Sequence, residues 1–181
     1  MRHHPTTLAR STLALLGAAC LLGPVQAADE ARARELMTLM RGDEFAAGAM
    51  KVITRQSQAE DRLTDAQVAC VDAVDPSQLT DAVIEAFAKG LDNAEADTAI
   101  AFFRSSAGVK LMNLLNNKAF GAELKEPLTP EDNDAIKSFR ATSAGNKILN
   151  EGIMVTATPV AKRSVALVRE TVANCGKPAA R

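Results

Sequence analysis

The chain of 181 residues has no tryptophan and no tyrosine, and its only two histidines are His3 and His4. Both histidines fall in an N-terminal segment with the pattern of an export signal, so the processed protein is expected to lack all three residue types. Nucleophiles activated by histidine, imidazole-bound zinc and aromatic platforms for sugars or bases all depend on those residues. These absences exclude the commonest hydrolytic, zinc-dependent and base-stacking functions for the processed protein.

Residues 1–27 follow the order of a secretory signal peptide. Arg2 and Arg10 precede an apolar run, Leu13–Leu22, and a small-residue site ends at Ala27. The apolar run is too short to span a bilayer as a helix. We expect cleavage after Ala27 and export to the periplasm.

Cys20 offers an alternative processing site, because Gly17-Ala18-Ala19-Cys20 loosely fits the sequence at which lipoproteins are cleaved and lipidated. Such sites prefer leucine where this chain has Gly17, and the two leucines after Cys20 are more apolar than a tether requires. Cleavage after Ala27 is therefore the favoured interpretation, with lipidation at Cys20 left open.

Residues 28–181 are predicted to form a single domain without a membrane span, because no later stretch is long and apolar enough to cross a bilayer. The formal net charge of the chain is −1 at pH 7. A balance this close to neutrality gives no electrostatic reason to expect nucleic acid as a partner.

Two cysteines, Cys70 and Cys175, lie beyond the signal segment. In an oxidising compartment such a pair is most simply one disulfide. The bridge would close a loop of about 100 residues and stabilise the fold by about 4 to 5 kcal/mol on the chain-entropy model. A redox-active pair is the alternative, which the lack of a Cys-x-x-Cys spacing disfavours.

Composition and periodicity predict an all-α fold, a single bundle of about seven to nine helices. A first helix is expected over Asp29–Arg41 with Gly42 as its stop, and a later one is expected to begin with Ser77 as its cap. The last helix is expected to run from Thr158-Pro159 to Cys175.

Apolar residues recur at helical spacing in the second and last predicted helices. They are Phe45, Ala49, Val52 and Ile53 in the second helix and Val165, Val168 and Val172 in the last.

The segment Asp97–Asn113 recurs without a gap at Asp134–Asn150. The identical positions are Asp97, Phe102, Ser106, Ala107, Gly108, Lys110 and Asn113, which match Asp134, Phe139, Ser143, Ala144, Gly145, Lys147 and Asn150. The pattern predicts a duplicated helix-joint-helix unit that buries one phenylalanine per copy. In the Ser-Ala-Gly joint we expect the serine to cap the second helix and the glycine to adopt unusual dihedral angles.

The phrase Phe-x-x-Ser-x-Ala-Gly-x-Lys on a helix joint resembles the bacterial domain-of-unknown-function 2059 (DUF2059) family. Ala99–Leu115 is the closest match in this chain and Asp134–Ile153 the second, although Ala107 stands where many members have proline. The resemblance implies a periplasmic all-helical domain and brings no activity, cofactor or catalytic residue. The motif positions are Phe102, Arg104, Ser106, Gly108 and Lys110 in the first copy, and Phe139, Arg140, Ser143, Gly145 and Lys147 in the second.

The repeated Ser and Lys suggest one catalytic hypothesis. Lys110 lies near Ser106 and Lys147 near Ser143, and a lysine with a lowered pKa can activate a serine in exported hydrolases. Duplication favours a structural role instead, because an enzyme rarely needs two copies of one nucleophile. We therefore expect no catalytic residue.

Two arginines suggest an anion site, since Arg104 and Arg140 each follow a phenylalanine just before a joint and could hold a carboxylate or phosphate at the next helix N-terminus. Pairing with a nearby acid is the commoner role. No acidic cluster has the spacing of a calcium loop, so no metal or cofactor is predicted.

The sequence thus predicts a periplasmic, non-catalytic protein that contacts another envelope protein through an exposed helical face. The alternative is a binder of a small apolar or amphipathic ligand in a cavity between helices. A closed core with an exposed apolar patch would favour the first, and a dry internal cavity of roughly 300 Å³ or more the second.

Overall fold

The structure is a computed structural model that describes residues 27–60, 62–120 and 127–176. Within these ranges it is all-α and contains no strand, as the sequence predicted; its one β-type contact is an isolated bridge between Ala27 and Asp92. Residues 1–26, which include Cys20 and most of the predicted signal peptide, lie outside the described residues.

The described ranges hold ten α-helices, a 3₁₀ turn, Pro76–Leu79, before α4, and a π-helical turn, Asn146–Asn150, that continues α8. The helices are α1 (Glu30–Met40), α2 (Gly42–Ala59), α3 (Asp65–Asp72), α4 (Thr80–Gly90), α5 (Asn93–Arg104), α6 (Ser106–Phe120), α7 (Pro130–Arg140), α8 (Ser143–Gly145), α9 (Ile153–Thr156) and α10 (Thr158–Asn174).

The end of α1 differs from the sequence prediction. Arg41, and not Gly42, takes the left-handed conformation, with φ 48° and ψ 49°. Gly42 begins α2 and is buried, and a Cβ on it would lie 2.8 Å from Cγ1 of Val83 in α4. Gly42 is therefore needed for close packing of α2 on α4 and does not act as the helix stop.

The start of the fourth helix also differs from the prediction. Asp75 caps the 3₁₀ turn, because its carboxylate accepts a hydrogen bond from the backbone N–H of Ser77 at 2.9 Å. Ser77 is therefore inside the turn and is not the cap. Aspartate before proline is a strong start signal, and it displaces the start by two residues.

The core lies where α1 packs against α4 and α5. Leu36 and Met40 of α1, Val83 and Phe87 of α4 and Phe103 of α5 are all almost fully buried. Residues Ala107, Leu111 and Ile136 form a second, smaller apolar cluster between α6 and α7.

The predicted disulfide is confirmed. Cys70 in α3 bonds to Cys175 at the end of α10, with a Cα–Cα distance of 6.0 Å. The bridge fixes the C-terminal end of α10 beside α3, and α10 also packs against α2 and α4. None of the helices in the described ranges is long and apolar enough to cross a bilayer.

Candidate functional site

In both joints of the repeat, the helix that follows is capped by the residue before the predicted serine. Ser105 Oγ accepts the N–H of Gly108 at 3.2 Å, and Thr142 Oγ1 accepts that of Gly145 at 3.0 Å. Each hydroxyl also donates to the carbonyl of the preceding phenylalanine, Phe102 or Phe139. The prediction that Ser106 and Ser143 are the caps is wrong, because both lie inside the first turn of the helix.

The glycines of the joint are required for a different reason from the predicted one. Gly145 has ordinary helical angles, φ −64° and ψ −38°, and Gly108 is not among the residues with positive φ. A Cβ would lie 2.2 Å from the Phe102 carbonyl oxygen at Gly108, and 1.9 Å from that of Phe139 at Gly145. The joint glycines therefore let the end of one helix approach the backbone of the next.

Three phenylalanines join the two copies. The rings of Phe102 and Phe139, which occupy matching positions, stack with centroids 4.0 Å apart and planes 5° apart. Phe103 packs edge-on against both rings, at 5.1 and 5.4 Å. The fully buried ring of the first copy is Phe103 and not the predicted Phe102, which is only partly buried.

Each lysine of the motif forms an ion pair with an acid from the other copy of the repeat. Lys110 of the first copy donates to Asp132 Oδ2 at 2.8 Å, and Lys147 of the second donates to Glu95 Oε2 at 2.6 Å. Glu95 and Asp132 are matching residues, each the third residue of a helix, and each also accepts the N–H of its own N-cap, Asp92 or Thr129. Reciprocal contacts of this kind characterise a two-fold interface, here formed within one chain.

The environment of the two acids favours their ionised forms. The hydrogen bond from Lys110, followed by the N–H of Thr129, lowers the pKa of Asp132. Burial alone would raise the pKa of Glu95, but hydrogen bonds from Lys147, Ser143 and the N–H of Asp92 outweigh it, and the pKa is lowered. Each lysine is thus paired with a carboxylate that stays charged at neutral pH.

The phenylalanines and lysines of the motif therefore form an interface between the two copies. A serine–lysine dyad requires a neutral amine near the hydroxyl, whereas both lysines are ion-paired and Ser143 Oγ donates to Glu95 Oε1 at 2.5 Å. Of the two arginines considered for an anion site, Arg104 lies 2.5 Å from Glu35 Oε1, and Arg140 is exposed.

A concave apolar surface lies elsewhere, between α2 and α10, and we call it the α2–α10 groove. Its volume is about 500 Å³, and it is open to solvent along one side. The groove exposes two large side chains, Ile53 at 63% and Val165 at 51%. Its lining residues are Ala46, Ala49, Met50, Ile53, Thr54, Ser57, Arg62, Leu63, Val155, Val160, Ala161, Ser164, Val165, Val168 and Arg169.

Some apolar residues of the second and last predicted helices are exposed at the groove or beside it. Ile53 and its neighbour Val52 are exposed on α2, and Val165 is exposed on α10. Periodicity showed that these residues share helix faces, but it could not show that α10 covers α2 incompletely. The excess of apolar residues on the two helices was the only signal of the groove in the sequence.

Among the described residues that line the groove, the charged side chains are Arg62 and Arg169, and no acid is included. Arg62 pairs with Glu60, which does not line the groove. Glu170, next to Arg169 in the sequence, instead lies 3.5 Å from Arg163. The described lining is therefore mostly apolar, with two guanidinium groups as its charged groups.

Comparisons with known proteins agree with the repeat motif. Residues 77–119 match the profile of a bacterial family described as "Uncharacterized protein conserved in bacteria (DUF2059)". The matched segment contains the first copy of the repeat. No curated protein and no solved structure matches the chain. Over residues 77–119 this chain is thus a match to the DUF2059 family, the family that its Phe-x-x-Ser-x-Ala-Gly-x-Lys motif resembles.

Proposed function

We propose that this protein is an exported, non-catalytic binding protein and that the α2–α10 groove holds a small apolar or amphipathic ligand. The observation that carries the proposal is the groove itself. A concave site of about 500 Å³ with a mainly apolar lining has the size and the composition of small-molecule sites in proteins.

The exposed side chains of the groove support the proposal. A monomeric protein buries most of its large aliphatic residues, and an uncovered group of them indicates a surface that binds something. Ile53 and Val165 are both more than half exposed while lining one concavity, whereas Met50 and Val160, which also line it, are buried.

Export agrees with the disulfide between Cys70 and Cys175, which suits an oxidising compartment. Cleavage after Ala27 would make Ala28 the first residue of the exported protein. N-terminal sequencing of protein purified from its host tests this, with Ala28 as the expected first residue and a blocked Cys20 as the contrary result.

A neutral fluorescent probe, N-phenyl-naphthylamine, tests the groove directly, because its emission rises on transfer to an apolar site. We expect saturable binding to the native protein and a loss of affinity of about ten-fold in Val165→Asp, since the new charge would face apolar groups. Val109→Asp is a matched control, because Val109 is equally exposed, at 50%, and does not line the groove.

The two variants also define the contrary result. Equal loss of probe binding in Val165→Asp and Val109→Asp would show that the effect is not local to the groove. No binding to the folded native protein would contradict the proposed function.

Contact with another envelope protein is the second candidate function. The exposure of Val52, which lies beside Ile53 but does not line the groove, favours it by extending the apolar surface outside the concavity. Val52→Asp separates the candidates, because it leaves probe binding intact and weakens capture of a protein partner.

A further inference from the structure

We infer that the ligand of the α2–α10 groove is a single-chain amphiphile with an anionic head, of the type of a fatty-acid carboxylate, whose head is bound by Arg62 and Arg169. The inference rests on the proposed function and specifies the chemistry of the ligand. It comes from the placement of charge in the groove and from the dimensions of the groove.

Arg62 and Arg169 lie at the same end of the groove. The disulfide holds Cys175, six residues after Arg169, beside α3, and Cys175 Sγ lies 3.2 Å from the Ala66 carbonyl oxygen. Ala66 in turn lies four residues after Arg62 in the sequence. The C-terminal part of α10 and the segment after α2 therefore meet where the two arginines line the groove.

The opposite end of the groove is apolar. Ala46, Ala49 and Val160 line the end near the start of α10, and Met50, which also lines the groove, is buried. A ligand that matches both the apolar lining and the two arginines must combine an aliphatic part with a negative group at one end. Arginine binds carboxylates and phosphates well because its planar donors match their oxygens.

The length of the groove suits an extended alkyl chain. From Ala46 to Ser57 the groove follows α2 for about 16 Å at 1.5 Å per residue. A single alkyl chain can lie along this length against the apolar lining, with its head at the arginines.

Competition between matched ligands tests the inference. Dodecanoate and dodecanol have the same chain length and differ in head charge, and each is used below its micelle or solubility limit to displace N-phenyl-naphthylamine. We expect dodecanoate to bind about five-fold more tightly than dodecanol, with the difference shrinking at high salt.

Arginine variants assign that difference to the groove. In Arg169→Gln, and in Arg62→Gln, dodecanoate loses most of its advantage while dodecanol binding is unchanged. Lys162→Gln is the control, because Lys162 lies on the same helix and does not line the groove. Circular dichroism confirms that each variant is folded before its affinity is compared.

The outcomes separate the inference from the function on which it rests. Equal affinity for dodecanoate and dodecanol, unchanged in Arg169→Gln, would overturn the anionic-head inference and leave an apolar binding site. Failure of both ligands and of the neutral probe would overturn the proposed function as well. A peptide, and not an amphiphile, in native mass spectra of protein purified from its host would also overturn the inference.

Discussion

At the scale of single residues, Gly108 and Gly145 act in the same way in the two copies of the repeat. Each allows a helix to begin against the last carbonyls of the helix before it, at a distance that leaves no room for a Cβ. The motif could be found from the sequence alone, but the reason for its glycine could not, because close approach depends on the path of a backbone six residues earlier.

We predict that Gly108→Ala and Gly145→Ala each lower the free energy of unfolding by about 1 to 3 kcal/mol, because the added methyl group meets backbone atoms that must shift. This sign is opposite to that of intrinsic helix propensity. Urea unfolding measures the change. Gly90→Ala is the control, because its Cβ would meet only the end of the Ile153 side chain, at 3.1 Å; equal effects at the three sites would contradict the explanation.

The ion pairs that Lys110 and Lys147 form between the two copies make the stability of the fold dependent on pH. The pKa of Asp132, chiefly through Lys110, and the pKa of Glu95, where the bonds from Lys147 and Ser143 outweigh burial, are both lowered in the folded protein. Groups with lowered folded-state pKa values stabilise the fold above their unfolded pKa values, near pH 4, and this contribution is lost as the pH falls through their folded values.

We therefore predict a melting temperature that declines below about pH 4.5 and a weaker decline in Lys147→Met, which removes a partner of Glu95. Thermal melts from neutral to acid pH measure both. Arg34→Met is the control, since it removes an exposed pair with Glu30 on α1. An unchanged acid profile in Lys147→Met would count against the assigned role of that lysine.

At the scale of helices, three starts are fixed by a capping box. Thr64, Asp92 and Thr129 cap α3, α5 and α7, and the third residue of each helix returns the hydrogen bond. The starts given to Ser77, Ser106 and Ser143 were displaced by one or two residues, because a neighbouring Asp, Ser or Thr supplies the cap instead. The local sequence thus predicted the presence of each helix more reliably than the exact residue at which the helix begins.

The disulfide that anchors the end of α10 leads to a prediction about the stability of the fold. Cys70→Ser releases the end of α10, and we expect the free energy of unfolding to fall by about 4 to 5 kcal/mol, since the bridge closes a loop of about 100 residues. Differential scanning calorimetry of the oxidised protein measures the change. Cys70→Ser/Cys175→Ser should equal the single variant, and a melt like that of the native protein in either would show that the bridge does not constrain the fold.

At the scale of the whole molecule, composition and periodicity predicted the all-α class, and the two cysteines beyond the signal segment predicted the disulfide. The repeat was also visible in the sequence, but its two-fold docking was not. The ion pairs of Lys110 and Lys147 with acids of the opposite copy, and the stacking of Phe102 on Phe139, arise from how the copies pack. The α2–α10 groove was missed for the same reason, since it exists only where one helix leaves another partly uncovered.

The groove as a binding site is the claim on which the functional account depends. Nuclear magnetic resonance of methyl-labelled protein with N-phenyl-naphthylamine tests it most directly, by intermolecular nuclear Overhauser effects. We predict contacts from the probe to methyl groups of Ile53, Val165 and Val168 and none to Val109. Contacts to Val109 alone, or no contacts to any methyl group of α2 and α10, would contradict it.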